Sequence, residues 1–139
     1  MPSAVQRWGC LALSNVSSGN PKNTEALGKL RAWEAVIGAM RTYTHSEGVQ
    51  RWGCLALGNC ACQNPKNIAG MVSDQAYEPI LKAIAEFRTS VELQRWALFA
   101  LCNLTCGDAP SVAAMSSADV WNAVLKTMID FPKDEGVHL

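Results

Sequence analysis

The nonapeptide VQRWGCLAL fills residues 5–13 and returns letter for letter at 49–57, and a variant, LQRWALFAL, fills 93–101. Val5, Val49, Leu93 and Val137 follow one another at a constant interval of 44 residues. The same interval relates Gln6, Gln50 and Gln94, then Ala12, Ala56 and Ala100, then Leu13, Leu57 and Leu101. NPKN at 20–23 recurs at 64–67, and Trp33, Tyr77 and Trp121 share one register. A gap-free period of this length marks a stack of like units, each burying its apolar face on its neighbours. The expected organisation is one domain over 1–139, with units near 5–48, 49–92 and 93–136.

Each unit reads as helices. Residues 5–18 hold no proline, and Ser3 stands three residues before Gln6, a capping-box spacing. In NPKN, Asn20 is suited to cap a helix whose first residue is Pro21, where a missing N–H costs nothing, and Asn64 with Pro65 repeats the signal. The pattern predicts a short helix near 21–28, a longer one near 32–43, and a last one over 120–131. SEG at 46–48 and DEG at 134–136 punctuate the units. Nothing alternates with period two, so strands are not expected.

The pattern V-Q-x-x-[GA]-C-x-A-L-x-N, a short Asn/Pro-capped helix, and then AYEPILKAI at 76–84 together resemble the armadillo repeat over essentially the whole chain. The resemblance implies an all-α, right-handed α-solenoid of three-helix units, with 5–18, 49–62 and 93–106 as third helices. By that register the chain begins on a third helix and ends just after a second one. A two-helix HEAT unit of similar length is the alternative architecture.

Helical geometry assigns the faces. With about 100° per residue and Asn15 at zero, Trp8 falls near +20° and Leu11 near −40°, on one stripe, with Arg7 along its edge near −80°. Leu13, Gly9, Val16 and Cys10 take the other side, small and apolar as a buried face requires. The period then stacks Trp8, Trp52 and Trp96, then Leu11, Leu55 and Phe99, then Asn15, Asn59 and Asn103, with Arg7, Arg51 and Arg95 beside them. The resemblance implies that the Asn stripe lines a groove that binds the backbone of an extended peptide. A primary amide offers both donor and acceptor to a peptide group, and Trp supplies large rigid contact area. The other use of these ladders is packing: an indole tucked under Arg7 in a cation–π contact, and an Asn bonded to a neighbouring loop. In the family's nuclear-import adaptors a groove Trp sits four residues before the Asn and acidic groove residues hold basic cargo. Here the Trp sits seven before and the edge carries Arg, which favours apolar or acidic segments as partners. Trp33, Tyr77 and Trp121 open the second helices and are read as core.

The composition is that of a globular chain, with 49% apolar residues. Lys plus Arg and Asp plus Glu number 12 each, which argues against a nucleic-acid partner. No apolar run reaches the ~18 residues of a membrane span, and MPSAVQRWG has no signal-peptide pattern. A cytoplasmic location, or a nuclear one, follows as the expectation. Cys10, Cys54, Cys60, Cys62, Cys102 and Cys106 are then reduced thiols. The sequons NVS at 15–17 and NLT at 103–105 carry no role in that setting. His45 lies in an inter-unit loop as a solvated residue, and neither it nor His138 has a partner spaced for a metal or a base. Cys60 and Cys62 lie about 200° apart on a helix, while Cys102 and Cys106 share a face but number only two. No catalytic residue, metal site or cofactor is expected, and the chain reads as a protein-binding scaffold rather than an enzyme. Its alternative is a self-assembling solenoid, joined head to tail through ends with no polar cap, or one stretch of a longer array.

Overall fold

The computed structural model describes residues 2–132. Its described residues form α1 (Pro2–Ser17), α2 (Pro21–Lys29), α3 (Trp33–Thr42), α4 (Glu47–Ala61), α5 (Pro65–Ser73), α6 (Tyr77–Glu86), α7 (Val91–Leu104), α8 (Ala109–Met115) and α9 (Ala118–Asp130), with no strand among them. The fold is that of an all-α solenoid.

Local chemistry sets the boundaries. Asn20 and Asn64 each accept the backbone N–H three residues on, from Asn23 and Asn67 at 3.0 Å, with proline in the first turn. Asp108 does the same for Ser111 at 2.9 Å, which places an acidic cap in the third register of the same signal. Those hydrogen bonds from Ser111 hold the Asp108 carboxyl below its usual range. NPKN also works backwards: Asn23 Nδ2 donates to Val16 O, and Asn67 Nδ2 to Cys60 O at 2.9 Å and to Thr24 O at 3.0 Å. One tetrapeptide thus starts a short helix and ties off the long one before it.

Between the short and second helices the chain turns through Arg31 (φ 49°) and Gln75 (φ 58°). Ala32 N bonds Leu27 O and Arg31 N bonds Gly28 O, the paired bonds of a Schellman end, and residues 71–76 repeat them. Glycine is the usual occupant there, so each of these residues carries roughly 1 kcal/mol of backbone strain.

Helices of like position pack on one another. The row α1, α4, α7 is continuous, as are α3, α6, α9 and α2, α5, α8, while α4 and α7 also lie against the second helices before them. The core runs between the rows, with Met40, Leu57, Ile68, Met71, Ile80, Leu93 and Leu104 fully buried. The junctions carry specific contacts as well. Trp33 is buried, its ring lying against α5 where a Cβ on Gly70 would come within 2.7 Å, and its Nε1 donates to Asp74 Oδ2 at 2.8 Å. Arg31 lies over the same indole at 5.0 Å and pairs with Asp74 at 2.6 Å. Polar pairs also join Glu47 to Ser90, His45 to Glu86 and Arg88 to Asp130 across successive units, and Arg51 on α4 to Glu92 on α7.

Four sequence expectations need correction. Ser3 does not cap α1, which already runs from Pro2; the serines that cap the equivalent helices are Ser46 and Ser90, one register position earlier. Gly9 and Val16 are exposed, although Gly53 and Cys60, their equivalents in α4, are buried. Those positions are covered by helices of the preceding unit, and no described helix precedes α1. Trp121 is 58% exposed rather than core, because its register is buried by the short helix of the following unit, as α5 buries Trp33. His45 is exposed but paired, its Nδ1 lying 3.0 Å from Glu86 Oε1. Residues 133–139, with DEG, Val137 and His138, lie outside the described residues.

Candidate functional site

The third helices α1, α4 and α7 lie side by side, so side chains 44 residues apart form rows across them. Trp8 is 58% exposed, while Trp52 and Trp96 are half-buried against the core edge. Each of the first two carries its own arginine, with Arg7 Cζ 5.2 Å from the Trp8 ring and Arg51 Cζ 4.7 Å from the Trp52 ring. Trp96 is braced by Phe99, edge to face, at 6.0 Å and 77°. Leu11, Leu55 and Phe99 are half-buried beside them. The Trp, Leu/Phe and Arg positions therefore share one partly exposed stripe, as the helical arithmetic requires.

The arginines differ in what they meet. Arg51 pairs with Glu47 at 3.4 Å and with Glu92 at 3.2 Å, while Arg95 is half-buried at the next position. Arg7 crosses Gly48, whose missing side chain leaves the room, and it has no carboxylate partner among the described residues. The Nε atoms of Arg7 and Arg51 are buried and take no hydrogen-bond partner. A guanidinium beside an indole and without a carboxylate, as at Arg7, is suited to an added one.

The asparagine row divides. Asn15 is exposed and makes no side-chain hydrogen bond among the described residues. Asn59 is buried and its Nδ2 donates to Ser14 O at 3.0 Å; Asn103, half-buried, donates to Gly58 O at 2.8 Å. Each of these amides bridges to a backbone carbonyl of the preceding third helix. Replacing Asn59 by Ala is therefore expected to cost about 1–2 kcal/mol, whereas Asn15→Ala stays within about 0.5 kcal/mol. Urea unfolding of the two variants checks the contrast, and equal losses would remove the bridging role.

Sequence reasoning passed over the glutamine ladder. Gln50 is buried and its Nε2 donates to Met40 O and Tyr43 O, both at 2.9 Å; Gln94 repeats this on Ile84 O at 3.1 Å and Phe87 O at 2.9 Å. Gln94 Oε1 further accepts Thr127 Oγ1 at 3.0 Å. The residue next to the repeated Arg and Trp thus caps the C-terminal end of the second helix just before it in the chain. The signal was its recurrence at every period on the mostly apolar side of the helix, opposite the asparagine.

The cysteines fall into two groups. Cys10, Cys54 and Cys60 are buried, and burial pushes the Cys10 and Cys60 thiols up to about 11 and that of Cys54 higher still. Cys62, Cys102 and Cys106 are exposed. No cluster of three His, Cys, Asp or Glu residues that would hold a metal occurs among the described residues. No helix there is long and apolar enough to cross a membrane.

Neither a curated protein nor a solved structure matches the chain significantly. A family model does match: the LRRK2 ARM repeat, over residues 10–113. That span takes in every helix from α2 to α7 with the second half of α1 and the greater part of α8, the same elements whose capping, stacking and junctions recur at one interval. The chain belongs to the armadillo-repeat family, in the form represented by the LRRK2 ARM repeat.

Proposed function

We propose that this armadillo scaffold is a non-catalytic protein-binding module. In this reading the row of third helices forms a groove for an extended segment that is acidic, apolar, or alternates the two. The observation that carries it is the Arg7–Trp8 pair: an indole 58% exposed, with the Arg7 Cζ 5.2 Å from its centroid and no carboxylate partner for Arg7 among the described residues. Trp52 and Trp96 pack partly against the core, whereas Trp8 does not and leaves most of its indole on the surface. Trp and Arg are the residue types that dominate binding energy when a partner covers them. Arg7, Arg51 and Arg95 along one edge set the charge preference, and Leu11, Leu55 and Phe99 supply the apolar floor. Asn15 keeps its whole amide for a peptide group. Asn59 and Asn103 have one donor each already committed to the neighbouring helix.

Fluorescence anisotropy with a labelled extended peptide of alternating Glu and Leu tests this, against the same peptide with Lys in place of Glu. The acidic peptide is expected to bind, and Trp8→Ala to weaken it roughly 30-fold, the loss typical of a hot-spot Trp. Trp8 is exposed, so the melting temperature should stay put. Tighter binding of the Lys peptide would overturn the charge preference, and unchanged affinity in Trp8→Ala would overturn the groove.

A further inference from the structure

Arg7–Trp8 and Arg51–Trp52 are the same dipeptide at the same place on neighbouring third helices. The guanidinium carbon stands at a similar distance from the indole in each, 5.2 and 4.7 Å. What else meets the arginine differs. Arg51 is held by two carboxylates, Glu47 one turn before it at 3.4 Å and Glu92 of α7 at 3.2 Å. These come from its own helix and from the next helix of the row, and the equivalent registers for Arg7 lie within the described residues. They are Ser3 and Gly48, and neither bears a charge. Arg7 thus keeps the indole and lacks the carboxylates through two residue choices, one on α1 and one on α4.

Gly48 does more than omit a charge. It sits inside the first turn of α4 without a positive φ, so the backbone there does not require a glycine. A Cβ at that position would run into Arg7 Cδ, and its absence lets the arginine side chain lie across the start of α4. We propose that Arg7, beside Trp8, takes one carboxylate from the segment bound in the groove, in the place that Glu92 fills for Arg51. The chain displays the occupant at the next register: a glutamate carboxylate set on the arginine of an Arg–Trp pair. On the groove reading, from which this follows, the partner is an extended apolar segment with one acidic residue at the Arg7 crossing. A run of acidic residues fits less well. Packed helices lie about 8–10 Å apart and an extended chain advances about 3.3 Å per residue, so a segment crossing the row reaches Arg51 about three residues on. A carboxylate there meets Glu47 and Glu92 already on the guanidinium, and like charges side by side repel. The residues at 48 and 92, rather than the arginines themselves, set where along α1 and α4 charge is read.

Fluorescence anisotropy on the full chain tests this with three labelled peptides of alternating Leu and Ser. One carries a single central Glu, one has Gln in its place, and one has a second Glu three residues on. Wild type is expected to favour the single-Glu peptide over the Gln peptide about 10-fold and to gain less than about twofold from the second Glu. Gly48→Glu supplies the carboxylate from within the chain and is expected to remove the Glu preference. Gly48→Gln, of similar bulk and no charge, should reduce it less. Glu47→Gln combined with Glu92→Gln frees Arg51 and is expected to make the second Glu worth about 10-fold as well. The wild-type comparison needs no substitution, so it decides the matter even where a variant folds poorly. Equal binding of the Glu and Gln peptides, or a second Glu worth as much as the first in wild type, would overturn the proposal and leave the groove standing. So would an undiminished preference in Gly48→Glu, equal losses in Gly48→Glu and Gly48→Gln, or a double variant indifferent to the second Glu. Binding of none of the three peptides would overturn the groove reading and the Arg7 assignment together.

Discussion

Replacing Trp33 by Ala is expected to lower stability by about 3–5 kcal/mol, the usual loss for a fully buried aromatic. That approaches the whole stability of a domain of this size, which is about 5–15 kcal/mol. The indole fills the junction of two units, lies on Gly70 and donates to Asp74, so its removal opens a cavity and strips a carboxylate of its main partner. Trp121→Ala, at the same register, is expected to change stability by less than about 0.5 kcal/mol, because Trp121 is 58% exposed. Guanidinium unfolding of the two variants decides it, and a Trp33 loss below about 1 kcal/mol would deny the indole its junction role. The junction should also weaken in acid. The Trp33 indole N–H first, and Arg31 with it, hold the Asp74 carboxyl below its usual range. A depressed folded-state value contributes stability above the ordinary carboxylate range and loses it as pH falls through the lower folded value. Trp33→Phe keeps much of the ring while deleting the N–H, and it is expected to flatten that acid dependence.

Gln50→Ala is expected to cost about 3 kcal/mol. It leaves Met40 O without the side-chain donor that holds it, takes one of two donors from Tyr43 O, and empties a buried site. Gln6→Ala is the control: Gln6 is half-buried and makes no side-chain hydrogen bond among the described residues, so its loss stays within about 0.5 kcal/mol. Gln50→Glu gives the sharper test. It sets a carboxylate against two carbonyl oxygens in a buried site, which favours the protonated form and raises the folded-state value. A raised value means that stability is present at low pH and lost as pH rises through the carboxylate range. The variant should therefore melt lowest at neutral pH and recover in mild acid, opposite in sign to the Asp74 effect. A melting temperature independent of pH would show that the glutamine does not face those carbonyls.

The repeat, the helices and their caps were legible because they depend on short-range chemistry. Asn20 before Pro21 announces a helix start in any context, and a 44-residue interval needs no structure to be measured. That the repeated Trp and Leu/Phe lie together on one partly exposed side was legible for the same reason, since 100° per residue fixes which side chains share a face. What that arithmetic cannot supply is which face finds a neighbour. Val5 and Val49 are the same residue in the same nonapeptide, yet one is 71% exposed and the other 0%. Trp33 and Trp121 diverge likewise, and so do Asn15 and Asn59. For Trp33 and Asn59 the difference comes from contacts about 40 residues away in the chain, with α5 and Asp74 in the first case and with Ser14 of α1 in the second. Nor does local pattern reveal that Gln50 and Asn67 spend their amides on the carbonyls of helix ends, because those acceptors are backbone atoms that carry no sequence signature. Periodicity by itself determined the unit, its helices and the side chains that share a face. Burial, and with it the division of one repeated motif into core, junction and open surface, was decided only by the tertiary stack, because desolvation belongs to a pair of surfaces and not to a residue.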